Sequence, residues 1–199
     1  MIMKVLGISL FSMLLAFWQN PAKPAPDDKI LLQNPSFEDF PRASACPQGW
    51  ASYTPGSTPD IMPGAWGVQV PAHDGETCVA LVTREDGTRE DSSQRPPKSL
   101  AAGTCYTFKI YLTHAAKYVG YNHPARLRIW GGAGKSKQQL LASSNLVDHT
   151  DWKEYKFQFV PNHKMQYITF EVYFAPGALF HYRGNILLDN CSPIERCDR

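Results

Sequence analysis

Two carboxylates stand near opposite ends of this chain in settings that suit a hard cation. Glu38 closes the run Asn34-Pro35-Ser36-Phe37-Glu38, and Asp189 follows the apolar Ile186-Leu187-Leu188. A calcium ion collects about six to eight oxygen ligands, carboxylates first among them. A second set of residues offers a different chemistry. Tyr111, Arg126, Arg128, Trp130, Glu171 and Tyr173, with Lys109, all fall on the side of their segments that alternation points away from the core. Their rings can stack, and their charged groups can donate and accept hydrogen bonds.

Catalytic patterns are missing. The chain has no His-Glu-x-x-His, no Gly-x-Ser-x-Gly and no cysteine set beside a nearby histidine. Gly131-Gly132-Ala133-Gly134-Lys135-Ser136 looks like a phosphate loop, but Ile129 stands where that motif needs its first glycine. No helix signal follows, so the segment reads as a hairpin turn. Nothing marks two carboxylates as the partners of a glycosidase. The histidines are scattered singly. A non-enzyme is expected.

The elements that must position these residues are strands. Tyr106, Phe108, Ile110 and Leu112 alternate with polar neighbours, as do Leu127 with Ile129, Tyr155 with Phe157 and Phe159, and Ile168 with Phe170, Val172 and Phe174. One apolar and one mixed face per strand is the pattern of two antiparallel sheets packed face to face. The expected class is therefore all-β, an antiparallel two-sheet sandwich. Pro41 to Pro71, rich in proline and glycine, reads as a long loop held down by Trp50, Tyr53 and Trp66 and interrupted by one or two short strands. The mixed face is then either a ligand face or a face covered by this loop.

With 199 residues, the chain is long enough for one domain with a core of its own. Its hydrophobic fraction of 43% excludes disorder as the main state, and its net charge of +2, spread along the chain, gives no electrostatic case for nucleic acid. Lys4 precedes an uncharged apolar run from Val5 to Trp18, shorter than the ~20 residues a spanning helix needs but suited to a signal-peptide core. The expected organisation is a signal peptide over 1–18, a proline-rich spacer over 19–28, one binding domain over 29–195 and a tail over 196–199. After leader removal no membrane span remains, and an extracytoplasmic location follows: secreted, periplasmic or cell-surface. Cys46, Cys78, Cys105, Cys191 and Cys197 fit an oxidising compartment, with at least one left unpaired and the pairing open.

Five motifs in order resemble the jelly-roll carbohydrate-binding modules of families four, nine and twenty-two, which are galactose-binding-domain-like β-sandwiches. They are Asn34 to Glu38; Gly75-Glu76-Thr77-Cys78-Val79-Ala80-Leu81-Val82-Thr83-Arg84; Leu100 to Phe108; Thr150-Asp151-Trp152 with the strand after it; and Asn185 to Asn190. The resemblance implies a jelly roll over essentially the whole mature chain. It also implies a structural Ca2+ at Glu38, Asp189 and the Ser36 carbonyl, with a further ligand from His73-Asp74-Gly75-Glu76-Thr77, for which Asp74 and Thr77 are the candidates. In those modules an Arg-x-x-x-x-Trp stretch borders the ligand groove. Arg84 matches its arginine, and Arg89 stands in place of its tryptophan, offering planar donors suited to carboxylates or hydroxyls.

The expected function is an exported, non-catalytic module that binds a glycan on a sheet face through Arg84, Tyr111, Arg126, Arg128, Trp130, Glu171 and Tyr173. The alternative is the same fold as an adhesion or secretion-associated module on the envelope or cell surface, with a surface protein as partner. A glycan hydrolase comes third.

Overall fold

The computed structural model describes residues 29–197, so the leader and spacer over 1–28 lie outside the described residues. Eleven strands follow in order: β1 (Asp60–Met62), β2 (Cys78–Thr83), β3 (Asp91–Gln94), β4 (Tyr106–Thr113), β5 (His123–Pro124), β6 (Arg126–Gly132), β7 (Gln139–Ser143), β8 (Lys153–Phe159), β9 (Tyr167–Tyr173), β10 (Gly184–Asp189) and β11 (Glu195–Arg196). They form two sheets. The larger runs β1-β2-β10-β4-β11, with β8 on β4 and β5 on β10; the smaller runs β3-β9-β6-β7. All pairings are antiparallel except the short parallel match of β5 with β10. This is the two-sheet antiparallel sandwich that alternation predicts, in the jelly-roll form that the resemblance implies. Among the described residues no helix is long and apolar enough to cross a membrane.

The main core lies between the sheets. Phe108, Ile110 and Leu112 from β4, with Val79, Leu81, Ile186 and Leu188, meet Leu127, Ile129, Ile168, Phe170 and Val172 from the smaller sheet. Phe108 and Phe170 stack across the gap with centroids 5.9 Å apart. Each such fully buried side chain contributes roughly 1.5–3 kcal/mol by leaving water.

β2 departs from alternation: every residue from Cys78 to Thr83 is buried. The cause is a second, smaller cluster on the outer side of the larger sheet. There Cys78, Ala80, Val82 and Leu187 pack against Met62 and Val68, with Ala65, Val70 and Ala72 beside them. The proline-rich loop thus covers the back of the larger sheet, and β1 is its one named strand. Trp50, at the loop's other end, enters the main core between Phe37 and Phe170, at 4.8 and 5.3 Å.

The chain end belongs to the sandwich. β11 pairs with the start of β4, and a Cys105–Cys197 disulfide closes that corner across a separation of 92 residues. Arg196 and Cys197 thus belong to the sandwich rather than to the expected tail, of which 198–199 lie outside the described residues. Cys46, Cys78 and Cys191 are free. The glycine-rich run after β6 turns the β6–β7 hairpin, as expected.

Candidate functional site

The outer face of the smaller sheet gathers most of the candidate ligand residues. Register aligns Arg128 with Glu171 and Arg126 with Tyr173 across β6 and β9, and Glu171 with Asp91 across β9 and β3. All five of Arg126, Arg128, Trp130, Glu171 and Tyr173 share this face. The guanidinium of Arg128 lies 3.1 Å from the Tyr173 ring centroid, that of Arg89 4.9 Å and that of Arg126 5.4 Å. Three cations converge on one ring, whose negative π-face attracts each of them. Burial and then the neighbouring Arg128 push the Arg126 guanidinium below its usual value.

Beside the cluster, Glu171 is buried and acts as a brace. It accepts from Trp130 Nε1 at 2.8 Å and from Lys137 Nζ at 2.7 Å, and Arg89 Nε stands 3.5 Å away. Lys137 also reaches Asp91 at 2.9 Å. Asp91 in turn accepts from Ser52 at 2.6 Å and from Thr54, both in the proline-rich loop. That loop borders this face at β3, through an Ala51–Ser93 bridge, while its 62–72 stretch covers the opposite side of the molecule. Trp130, Arg126, Arg128 and Tyr173 keep partial exposure.

Two candidates lie elsewhere. Tyr111 is on β4 of the larger sheet, and its ring stacks on His73 with centroids 3.5 Å apart and planes 17° apart. It is no part of the arginine face, because parity separates core from exterior but a sandwich has two exteriors. Arg84 pairs with the buried Glu90, donates to Thr58 at 3.2 Å, and lines a cavity of about 350 Å3 with Asp60, Trp66 and Tyr118. Burial pushes the Glu90 carboxyl up to about 7, against the pull of Arg84. Tyr118 and Trp66 Nε1 both donate to Asp60 there. Neither Lys137 nor Asp91 is marked by the sequence: Lys137 sits in a hairpin loop that parity does not reach, and Asp91 ends the charge-dense run Arg84 to Asp91, whose pattern does not distinguish a buried carboxylate from solvated ones.

The five candidate metal residues do meet, around the 73–77 loop. Asn34 shapes the first turn: its side chain donates to the Glu38 carbonyl and accepts from the Glu38 amide, both at 2.9 Å. Phe37, with φ of 54°, anchors that turn in the core. Glu38 then accepts from the Glu76 and Thr77 amides at 3.1–3.3 Å. Ser36 Oγ donates to Asp74 at 2.7 Å, and Thr77 Oγ1 donates to the Phe37 carbonyl. Asp189, fully buried, accepts from the His73 and Asp74 amides at 2.7 and 3.0 Å and from the Asn190 amide at 2.7 Å. Burial raises its carboxyl to about 7, those three amides oppose the rise, and Glu38 adds to it.

Calcium suits this corner in donor type, since all the donors are hard oxygens and no salt bridge reaches Glu38, Asp74 or Asp189 among the described residues. The side chains as they stand are turned to amides: among the described residues no three His, Cys, Asp or Glu groups are set to hold a metal.

The geometry can be set beside known proteins. No protein-family model matches the chain, and no curated protein matches it. Solved structures do. The CBM22-1 xylan-binding domain from Paenibacillus barcinonensis Xyn10C superposes with a TM-score of 0.55 at 16% identity, over 88% of this chain and 99% of that one. The chain shares the jelly-roll β-sandwich fold of that carbohydrate-binding module. A cyclase from Fischerella sp. TAU matches this jelly roll equally well, with a TM-score of 0.56 at 14% identity over 86% and 98% of the two chains. The adhesin domain of Lys-gingipain from Porphyromonas gingivalis W83 follows at 0.52 and 12%, over 82% and 96%. At such identities the likeness concerns the jelly roll alone.

Proposed function

We propose that this jelly roll is an exported, non-catalytic module that binds a glycan on the outer face of its smaller sheet. One observation carries the reading: Trp130 and Tyr173 stand half-buried on one face with Arg126 and Arg128, Trp130 fixed by Glu171, which Lys137 holds in turn, and Tyr173 packed against the arginines. Partly exposed rings stack on the apolar faces of sugars, and fixed guanidiniums donate to hydroxyls. The two carboxylates of the face, Asp91 and Glu171, are both tied to Lys137. That ties them to bracing side chains, not to moving protons, and it favours binding over catalysis even though cyclases share the fold. Glycan-array screening of the mature protein tests this. Binding is expected, and it should weaken in Trp130→Ala with the melting temperature within a few degrees of wild type. A blank array overturns the reading.

A calcium ion at the Glu38–Asp189 corner belongs to the same proposal, supported by two acidic side chains drawn to one loop with no salt-bridge partner among the described residues. The extracytoplasmic location is supported by the apolar leader and by the Cys105–Cys197 disulfide, since such bonds persist in oxidising compartments. N-terminal sequencing of the native protein should find a start between about residues 17 and 26. A second reading, contact with a surface protein, is favoured by Leu179 and Phe180, exposed at 90% and 83% on the segment before β10. A specific protein partner together with a blank array would promote it.

A further inference from the structure

The arginine cluster is oddly composed for a surface that binds only neutral sugars. Arg89, Arg126 and Arg128 crowd one tyrosine ring. Among the described residues neither Arg126 nor Arg128 has an ion pair; Arg89 donates from Nη1 to the Gly87 carbonyl and has its one ion pair with Glu171, which Lys137 and Trp130 already occupy. The Nε of all three is shielded from solvent and has no hydrogen-bond partner. Unpaired buried donors are uncommon in folded proteins, and a cluster of them asks for an explanation. Like charges this close repel, and the ring attracts each without neutralising any. The face therefore carries an uncompensated positive charge beside aromatic rings that suit a sugar.

We propose that the cluster of Arg89, Arg126 and Arg128 around Tyr173 receives the carboxylate of an acidic sugar, so that the glycan taken by this face is a uronate-bearing polysaccharide. The inference rests on the glycan reading of the same face. A guanidinium edge presents two parallel N–H groups that match the two coplanar oxygens of a carboxylate. A uronate places that group on a pyranose ring, whose apolar face stacks on Trp130 while its anion reaches the arginines.

The test is calorimetric titration of the intact mature protein with polygalacturonate, alginate and glucuronoxylan, beside unsubstituted xylan and mixed-linkage β-glucan as neutral polymers. At least one uronate polymer should bind about tenfold tighter or more than every neutral one, and severalfold weaker at about 0.5 M salt, where charges are screened within a few ångströms. Chemical reduction of its carboxyls to hydroxymethyl groups should abolish that preference, a readout independent of any variant. Arg126→Gln with Arg128→Gln should lower affinity at least tenfold; should that protein unfold, the carboxyl-reduced polymer still decides. Equal binding of native and reduced polymer overturns the carboxylate inference and leaves the glycan reading standing. Equal binding of dextran sulfate overturns it in favour of unselective charge attraction. No binding to any polymer overturns both.

Discussion

Arg128 lays its guanidinium 3.1 Å from the centroid of the Tyr173 ring, one strand over on the outer face of the smaller sheet. The register that pairs Arg126 with Tyr173 and Arg128 with Glu171 makes this contact diagonal, within reach of a long side chain. The ring orders Arg128 without neutralising it, and among the described residues no carboxylate pairs with its guanidinium.

Tyr173→Leu should therefore cost ligand more than stability. A cation–π contact at a half-exposed site contributes about 0.5–2 kcal/mol. Melting temperature is expected to fall by no more than several degrees while glycan affinity drops about tenfold. Unchanged affinity in a folded Tyr173→Leu protein would remove this ring from the binding face.

Calcium should stabilise the fold by mass action. At a hundredfold excess over its dissociation constant an ion that binds only the folded chain contributes roughly 2.7 kcal/mol. Chelation is expected to lower the melting temperature, and Asp189→Asn to erase the difference between chelated and calcium-loaded protein. Superimposable melting curves with and without chelator would leave Glu38 and Asp189 as caps on backbone amides.

A side chain at Gly75 would have to displace the Glu38 carboxylate. The glycine's φ is +68°, and a Cβ placed there would sit 2.2 Å from Glu38 Oε1. Gly75→Ala combines a left-handed backbone penalty of about 1–2 kcal/mol with displacement of the Glu38 carboxylate. Denaturant unfolding should show a loss of at least that size. A loss below about 0.5 kcal/mol would mean that the 73–77 loop relaxes freely.

Glu90 should make stability fall as pH rises. Its folded value of about 7 lies above its ordinary 4.5, so the folded state holds the proton more tightly across that window. The stabilising contribution is complete below about pH 4.5 and is lost as pH climbs through 7, with a slope of at most one proton, about 1.4 kcal/mol per pH unit. Glu90→Gln should flatten this part of the difference curve between pH 5 and 7. Parallel wild-type and variant curves across that range would show that Arg84 holds Glu90 ionised throughout.

Reduction should loosen the β4–β11 corner. The Cys105–Cys197 bond closes a loop of 92 residues, and removing a native disulfide of that span costs about 2–5 kcal/mol. Cys105→Ser is expected to fall in that range by chemical denaturation. An unchanged midpoint would mean that β11 is held by its strand pairing alone.

Alternation along the chain determined much of this protein by itself. Phe108, Ile110, Leu127, Ile129, Phe170 and Val172 point inward in the fold as their spacing requires, because a strand turns successive side chains to opposite faces and only one face can leave water. The turn at Asn34 to Glu38 and the closing strand at Asp189 were legible for a similar reason: short-range backbone demands are written in local residue types. Other features were decided only in three dimensions. Tyr111 and Arg128 have the same parity, yet they stand on opposite outsides of the sandwich, since parity carries no information about which sheet a strand joins. Burial of both faces of β2 depends on a loop that folds back from residues 62–72, and the pairing of Cys105 with Cys197 depends on β11 landing beside β4. Lys137 reaches Asp91 and Glu171 from a hairpin tip. These contacts join residues distant in sequence, and their partners are chosen by the packing of whole sheets, which no local pattern encodes.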